Sequence, residues 1–318
     1  EHSIDRFVGR EACRFIDNYG GDGPFALMVG FPGPHCPYDP SPDFPETFDP
    51  DDMPEAIPEV AGDTPVLRQQ NIDGNKRPWN GVDYTEFTDA HKKTIRAHYS
   101  GLVKQIDHEV GAIIESLRSN GLLDNTVIFF ATDHADYLGD HNLIGKASFY
   151  ESAWHIPMLV RLPGGPTGQS SDDLVELRDV TGTMLAAAGV TIPSHMDSTT
   201  LPGLGLSDAP PRDRIVGMLS NGWCIFDGEW KLAKYSTGET LLFNMRDDPA
   251  EQHNLASKPA HVDKYRRLDT DLTLDLMESY RFAMHDRLAQ SGDMSQDPAF
   301  GLEGWRRPYP ATVEFVSE

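Results

Sequence analysis

Cysteine is scarce: Cys13, Cys36 and Cys224 are the three in 318 residues, and no two stand close enough for a metal or redox pair. That scatter excludes a disulfide framework and a zinc ribbon, leaving buried or idle thiols as the default. No run of about 18 apolar residues occurs, which removes a helical membrane span. Basic residues are also short, with 27 Lys and Arg against 50 Asp and Glu, a formal net charge of −23. A field of that sign repels phosphate backbones and anionic headgroups, so neither nucleic acid nor a membrane surface is an expected partner. An anionic ligand would need local positive charge from a metal ion or a few Lys, Arg and His side chains. The chain opens Glu1-His2-Ser3 without an initiator Met or a secretory leader, so it is expected to start downstream of a natural start, with cytoplasm and periplasm both open.

The length supports one large core with a smaller one appended. Ile4, Phe7, Val8, Ala12, Phe15 and Ile16 recur at helical spacing, a glycine-rich break follows at 20–23, and the apolar run 25–31 reads as a buried strand. Prolines and acids crowd 32–58 into a long loop suited to covering a site. Ile95, Tyr99, Leu102, Ile106, Val110, Ile113 and Leu117 mark the apolar stripe of a long helix, with a left-handed cap at Asn120-Gly121. Segment 126–132 is apolar and β-rich without alternation, as a central parallel strand covered on both faces would be. A strand at 156–161 and a helix at 174–188 follow. Beyond 211, strands at 223–226, 230–235 and 239–244 around the Asp227-Gly228 turn predict an antiparallel group, and a helix covers 261–288. The fold expected is α/β: a mixed, mostly parallel sheet flanked by helices over 1–210, a smaller antiparallel β subdomain plus helix over 211–290, and a tail at 291–318.

Chemistry concentrates at strand ends. Asp133-His134 follows the predicted central strand, where open α/β sheets bind ligands, and a carboxylate beside an imidazole can hold a divalent metal; capping of the next turn is the alternative. Lys146, between Gly145 and Ala147, suits an ammonium aimed at an anion. His35, within Pro34-His35-Cys36-Pro37, offers a second imidazole just past the 25–31 segment. His141 either reaches substrate or braces the loop. In the tail, Trp305, Arg306, Arg307 and Tyr309 suit contact with a second copy of the chain or packing onto its own domain.

The blocks Asp133-His134-Ala135-Asp136, Gly139-Asp140-His141 and Gly145-Lys146-Ala147-Ser148-Phe149-Tyr150-Glu151 resemble the downstream active-site region of type I sulfatases of the alkaline phosphatase superfamily. Pro34-His35-Cys36-Pro37 is similar to the family's Pro-His-x-Pro segment, 174–189 to a helix of the fold, and Asp247-Asp248-Pro249-Ala250-Glu251-Gln252-His253-Asn254-Leu255 to its C-terminal signature. Several separated blocks in the right order are improbable by chance, although each is weak alone. The resemblance implies hydrolysis of a small sulfate monoester, Asp133 and His134 as two ligands of a divalent metal, calcium first and manganese second, and Lys146 and His35 on the sulfate and leaving-group oxygens. It also implies a formylglycine nucleophile, and no cysteine here sits in the family's Cys-x-Pro-x-Arg pattern. The nucleophile is therefore expected first on an upstream segment, with a second polypeptide or a degenerate relative lacking it as the alternatives. Ala135 replaces the glycine common in the family, a change expected to be tolerated. Two rival readings are a phosphonate monoester or phosphodiester hydrolase of the same superfamily and a non-catalytic binding or assembly module.

Overall fold

In the computed structural model, Ser3 opens the first helix: its hydroxyl accepts the Arg6 N–H, and α1 runs over Ile4–Asp17. The structure describes residues 3–290 apart from 22, 42–47, 61, 79–80, 194–195 and 209, with side chains of the last helix as far as 281; the tail contacts expected of Trp305 to Tyr309 lie outside the described residues. The remaining helices are α2 (Pro65–Asn75), α3 (Asp89–Ser119), α4 (Glu151–Trp154), α5 (Arg178–Ala187) and α6 (Val262–Gln290). The strands are β1 (Ile128–Ala131), β2 (Met158–Arg161), β3 (Ile215–Leu219), β4 (Gly222–Phe226), β5 (Trp230–Tyr235) and β6 (Thr240–Asn244). Two compact units divide the chain: Glu1–Gln169 with Met218–Trp223 and Glu229–Leu255, and Ser170–Gly217 with Cys224–Gly228 and the described residues after Leu255.

In the first unit α3 is the long beam. Its stripe buries Leu102, Ile106 and Leu117, and it ends as expected: Gly121 takes φ +69°, Gly121 N–H donates to Arg118 O at 3.0 Å and Leu122 N–H to Leu117 O at 2.9 Å. That pair of bonds is a Schellman cap. Helix α1 lies against α3 where Gly9 faces Glu109, so closely that a Cβ on Gly9 would sit 2.4 Å from Glu109 Oε2 and 2.8 Å from its Cβ. Gly9→Ala is therefore expected to force the helices apart and cost about 1–3 kcal/mol of stability. Chemical denaturation reads this directly; a cost near zero would show that Glu109 swings aside freely.

Strand β1 forms where 126–132 was expected to, but its partner is β2, paired antiparallel with Phe129 opposite Val160. The pairs β1–β2 and β5–β6 are both antiparallel, so the mostly parallel sheet expected is not seen in them. The 25–31 segment departs from expectation: it lies outside any strand, and Met28 is 94% exposed. Its apolar sequence favours a strand, but a strand exists only with a ladder partner, and none of the described residues supplies one. Helix α5 begins at Arg178 rather than 174, because Leu174 makes an antiparallel bridge to Arg212 and Asp179 Oδ2 accepts the Glu176 N–H at 2.9 Å.

The second sheet has the order β3-β4-β5-β6. β5 and β6 pair antiparallel, Leu232 opposite Leu242, and Leu232, Leu241, Leu242 and Phe243 are at most 1% exposed. Buried in β5 is Lys231, whose Nζ lies 2.7 Å from Glu251 Oε1 and 2.8 Å from Glu151 Oε2, so the acidic 247–255 segment fastens the sheet to α4 as a structural element. Glu151 also pairs with His155 at 2.9 Å. Burial alone would raise the Glu151 carboxyl, but His155 and Lys231 overcome it and hold it at about 2. The same hydrogen bond raises the His155 imidazole above its usual value. The Glu151 contribution to stability is thus present above an unfolded pKa of about 4.3 and lost as pH falls towards 2, whereas the His155 contribution is complete below about 6.5 and lost as pH rises through its folded value. His155→Gln is expected to remove part of the alkaline decline in Tm and, because His155 helps to hold the Glu151 carboxyl down, to weaken part of the acid decline as well; identical Tm profiles for the variant and the parent from pH 6 to 8 would contradict this.

Candidate active site

Residues separated by about a hundred positions meet beyond the end of β1. His35 Nε2 lies 2.7 Å from Lys146 Nζ, and the rings of His35 and His134 are 6.2 Å apart, edge to face. His35 Nδ1 is 2.8 Å from Cys36 O, a group that only accepts, so Nδ1 carries the proton and Nε2 accepts from the Lys146 ammonium. Among the described residues no carboxylate lies within ion-pair distance of Lys146. In a chain of net charge −23, a half-buried lysine left without an acid is a cation available to a ligand.

Asp133 and His134 stand together next to this pair. Asp133 Oδ1 accepts the His134 N–H at 3.0 Å and its Oδ2 lies 3.4 Å from His134 Nε2. His134 Nδ1 is 3.0 Å from Ala135 O and must donate to it, so Nε2, beside a carboxylate oxygen, is the ring nitrogen whose lone pair could serve a cation. Two electron-rich atoms converging in this way suit a cation. They are two donors only: among the described residues no group of three or more His, Cys, Asp or Glu side chains is placed to hold a metal. Ala135 stays out of the left-handed backbone region, so its methyl group is accommodated as expected.

His141 does not reach this place. It is 1% exposed, stacks on Tyr150 with ring centroids 4.0 Å apart, and burial pulls its pKa down to about 4. Of the two roles expected of it, reaching substrate or bracing the loop, a neutral imidazole enclosed against an aromatic ring suits the second.

The loop from Asp133 to Lys146 is held from several sides. Asp136 accepts the Leu138 N–H at 2.9 Å and the Gly145 N–H at 3.1 Å on Oδ1, and the Tyr38 hydroxyl at 2.8 Å on Oδ2. From α2, Asn71 donates to Lys146 O at 2.5 Å, Asn75 to Ile144 O at 3.5 Å, and Arg68 to His141 O. From α3, Arg96 pairs with Asp140 at 2.5 Å and donates to Leu138 O at 3.0 Å. Asp5 of α1 accepts the Gly33 N–H at 3.0 Å, which anchors the segment leading to His35. Lys146 is flanked by Gly145 at φ +78° and Ala147 at φ +108°, the latter a conformation that L residues rarely hold unless their surroundings impose it. Sequence reasoning missed Tyr38, Asn71, Asn75 and Arg96. Only Asn71 and Asn75 left a trace, an i, i+4 pair of amides, and nothing in the chain says which loop they meet.

Comparison with known proteins names the class before the family. The fold matches the phosphonate monoester hydrolase SpPMH from Silicibacter pomeroyi with a TM-score of 0.75 and 24% identity, over 87% of this chain and 60% of that one. The family model described as Sulfatase matches residues 3–190, and one described as N-sulphoglucosamine sulphohydrolase, C-terminal, matches 139–278. The chain belongs to the sulfatase family. It is 28% identical to an arylsulfatase of Clostridium perfringens (strain 13 / Type A) over 81% of this chain and 54% of that protein. It is also 28% identical to the multifunctional alkaline phosphatase superfamily protein PehA of Trinickia caryophylli, over 82% and 57%. The chain thus spans a little over half the length of these curated relatives.

Proposed function

We propose that this chain supplies the leaving-group and anion-binding half of a metal-dependent sulfatase site that cleaves a small sulfate monoester. The observation that carries the reading is the His35–Lys146 contact at 2.7 Å, with Lys146 free of any carboxylate among the described residues. In this reading Lys146 pairs with a non-bridging sulfate oxygen and offsets the charge that develops there. His35 Nε2 stands beside that oxygen, and a proton taken up there from solvent would pass to the departing ester oxygen, so that the alcohol leaves neutral. Asp133 and His134 hold a divalent cation, calcium first and manganese second, which supplies further positive charge against the transferring group. Calcium takes about six to eight donors, so Asp133 and His134 would be only part of its set.

The nucleophile is assigned to the region that the relatives carry outside the matched length. Cys13 lies in α1, Cys224 in β4 is buried, and Cys36 precedes Pro37-Tyr38-Asp39, so none stands in a formylglycine motif. The mostly parallel sheet belongs to the same proposal: a partner strand from that region would give the exposed 25–31 segment its ladder.

The comparison with PehA keeps phosphoryl esters in view as the second reading. The test uses protein from its natural source, assayed on 4-nitrophenyl sulfate, 4-nitrophenyl phosphate and a phenylphosphonate monoester, with peptide mapping for formylglycine. Preference for the sulfate, lost on chelation and restored by calcium, supports the reading. Preference for the phosphonate transfers the site to the second reading, and no turnover of any ester with no formylglycine peptide leaves a sulfatase-derived binding module.

A further inference from the structure

The structure holds His35 and Lys146 at hydrogen-bond distance although they lie on segments more than a hundred residues apart, and a part-buried side-chain hydrogen bond, Tyr38 to Asp136, also joins those segments. We propose that Tyr38 and Asp136 form a positioning clamp that sets the separation of His35 from Lys146. The Tyr38 hydroxyl donates to Asp136 Oδ2 at 2.8 Å, and Asp136 Oδ1 accepts from the Gly145 N–H at 3.1 Å, one residue before Lys146. The third bond, from the Leu138 N–H at 2.9 Å, ties the carboxylate to its own loop and fixes its plane. Tyr38 is three residues from His35 and is itself braced by α3: its carbonyl oxygen is 3.0 Å from His98 Nδ1, and its ring meets that of Tyr99 edge to face at 6.3 Å. A continuous path therefore runs from the rigid α3 through Tyr38 and Asp136 to the Lys146 backbone.

Burial supports the role. Burial and the neighbouring Asp136 push the Tyr38 phenol above its usual value, so it remains a proton donor at any physiological pH. Neither residue reaches the reacting atoms in this arrangement. Both act through the pair they align, and displacement of about 1 Å in such a pair costs on the order of a hundredfold in rate.

The inference rests on the proposed function only in taking His35 and Lys146 as the anion-binding pair, and its test separates the two. Tyr38→Phe and Asp136→Asn are the variants; the amide oxygen of Asn can still accept from Leu138 and Gly145, which protects folding. The first readout is inorganic sulfate binding by calorimetry to the natural protein, in a double-mutant cycle with Lys146→Ala. Tyr38→Phe is expected to weaken sulfate binding about tenfold in the parent and to have no further effect once Lys146 is removed, because a positioning residue has nothing left to position. An equal loss in both backgrounds, or no loss in either, overturns the clamp. The second readout is a crystal structure of Tyr38→Phe. Should the parent bind no sulfate, the proposed function fails, and the clamp is judged by distance alone: separation of His35 and Lys146 beyond hydrogen-bond range supports it, and an unchanged 2.7 Å contact overturns it.

Discussion

Lys146→Ala is expected to lower turnover of a sulfate monoester by the natural protein by about a hundred- to a thousandfold, with Tm close to that of the parent. The size follows from where the ammonium stands. It donates to a neutral imidazole and no acid among the described residues neutralises it, so its field is directed at whatever anion enters beside His35. The small effect on stability follows from the same facts, since the side chain gives up no ion pair, and the backbone of Lys146 is held independently by Asn71. Lys146→Arg is expected to recover little, because a planar guanidinium cannot occupy the point position of an ammonium 2.7 Å from an imidazole nitrogen. The measurement is kcat and KM for each variant. A fall in kcat/KM of only a few-fold would reduce Lys146 to a solvated surface charge.

Lys231→Met should be the most destabilising single change in the first unit, at about 3–5 kcal/mol. Lys231 is 1% exposed and carries the only positive charge described between Glu151 and Glu251, the latter also 1% exposed. Removing it leaves an uncompensated buried carboxylate, and Glu251, which burial already pushes above its usual value, must then take up a proton or draw in water. The double change Lys231→Met with Glu251→Gln should recover a good part of the loss, since replacing both members of a buried pair costs less than orphaning one. Urea denaturation of the three variants decides this. If the double variant is no more stable than Lys231→Met, the loss comes from packing against Trp154, whose ring lies 5.6 Å below the ammonium, and not from charge.

Periodicity was a sound guide wherever one element meets one core. The α3 stripe, its cap at Gly121 and the hairpin strands β5 and β6 follow from local spacing and turn residues, because helices and hairpins satisfy their own backbone groups. The 25–31 segment shows the opposite case: six apolar residues and a glycine read as a strand but lack the partner that makes one. The site divides in the same way. Asp133, His134, Lys146 and His35 could be picked as candidates because each follows a predicted strand or sits in a short motif, and the structure brings them near one another, whereas His141 is turned inward onto Tyr150.

The sequence by itself determined which chemical groups exist, in which order they come and which family they belong to, because residue types and short spacings are properties of the chain. Only the tertiary structure decided that His35 meets Lys146, that Tyr38 meets Asp136 and that Lys231 is locked between two glutamates. Each of these contacts spans more than 75 residues on at least one side, and distances of that kind are set by the packing of α2, α3 and β5, where small errors in helix placement move a side chain by more than the length of a hydrogen bond.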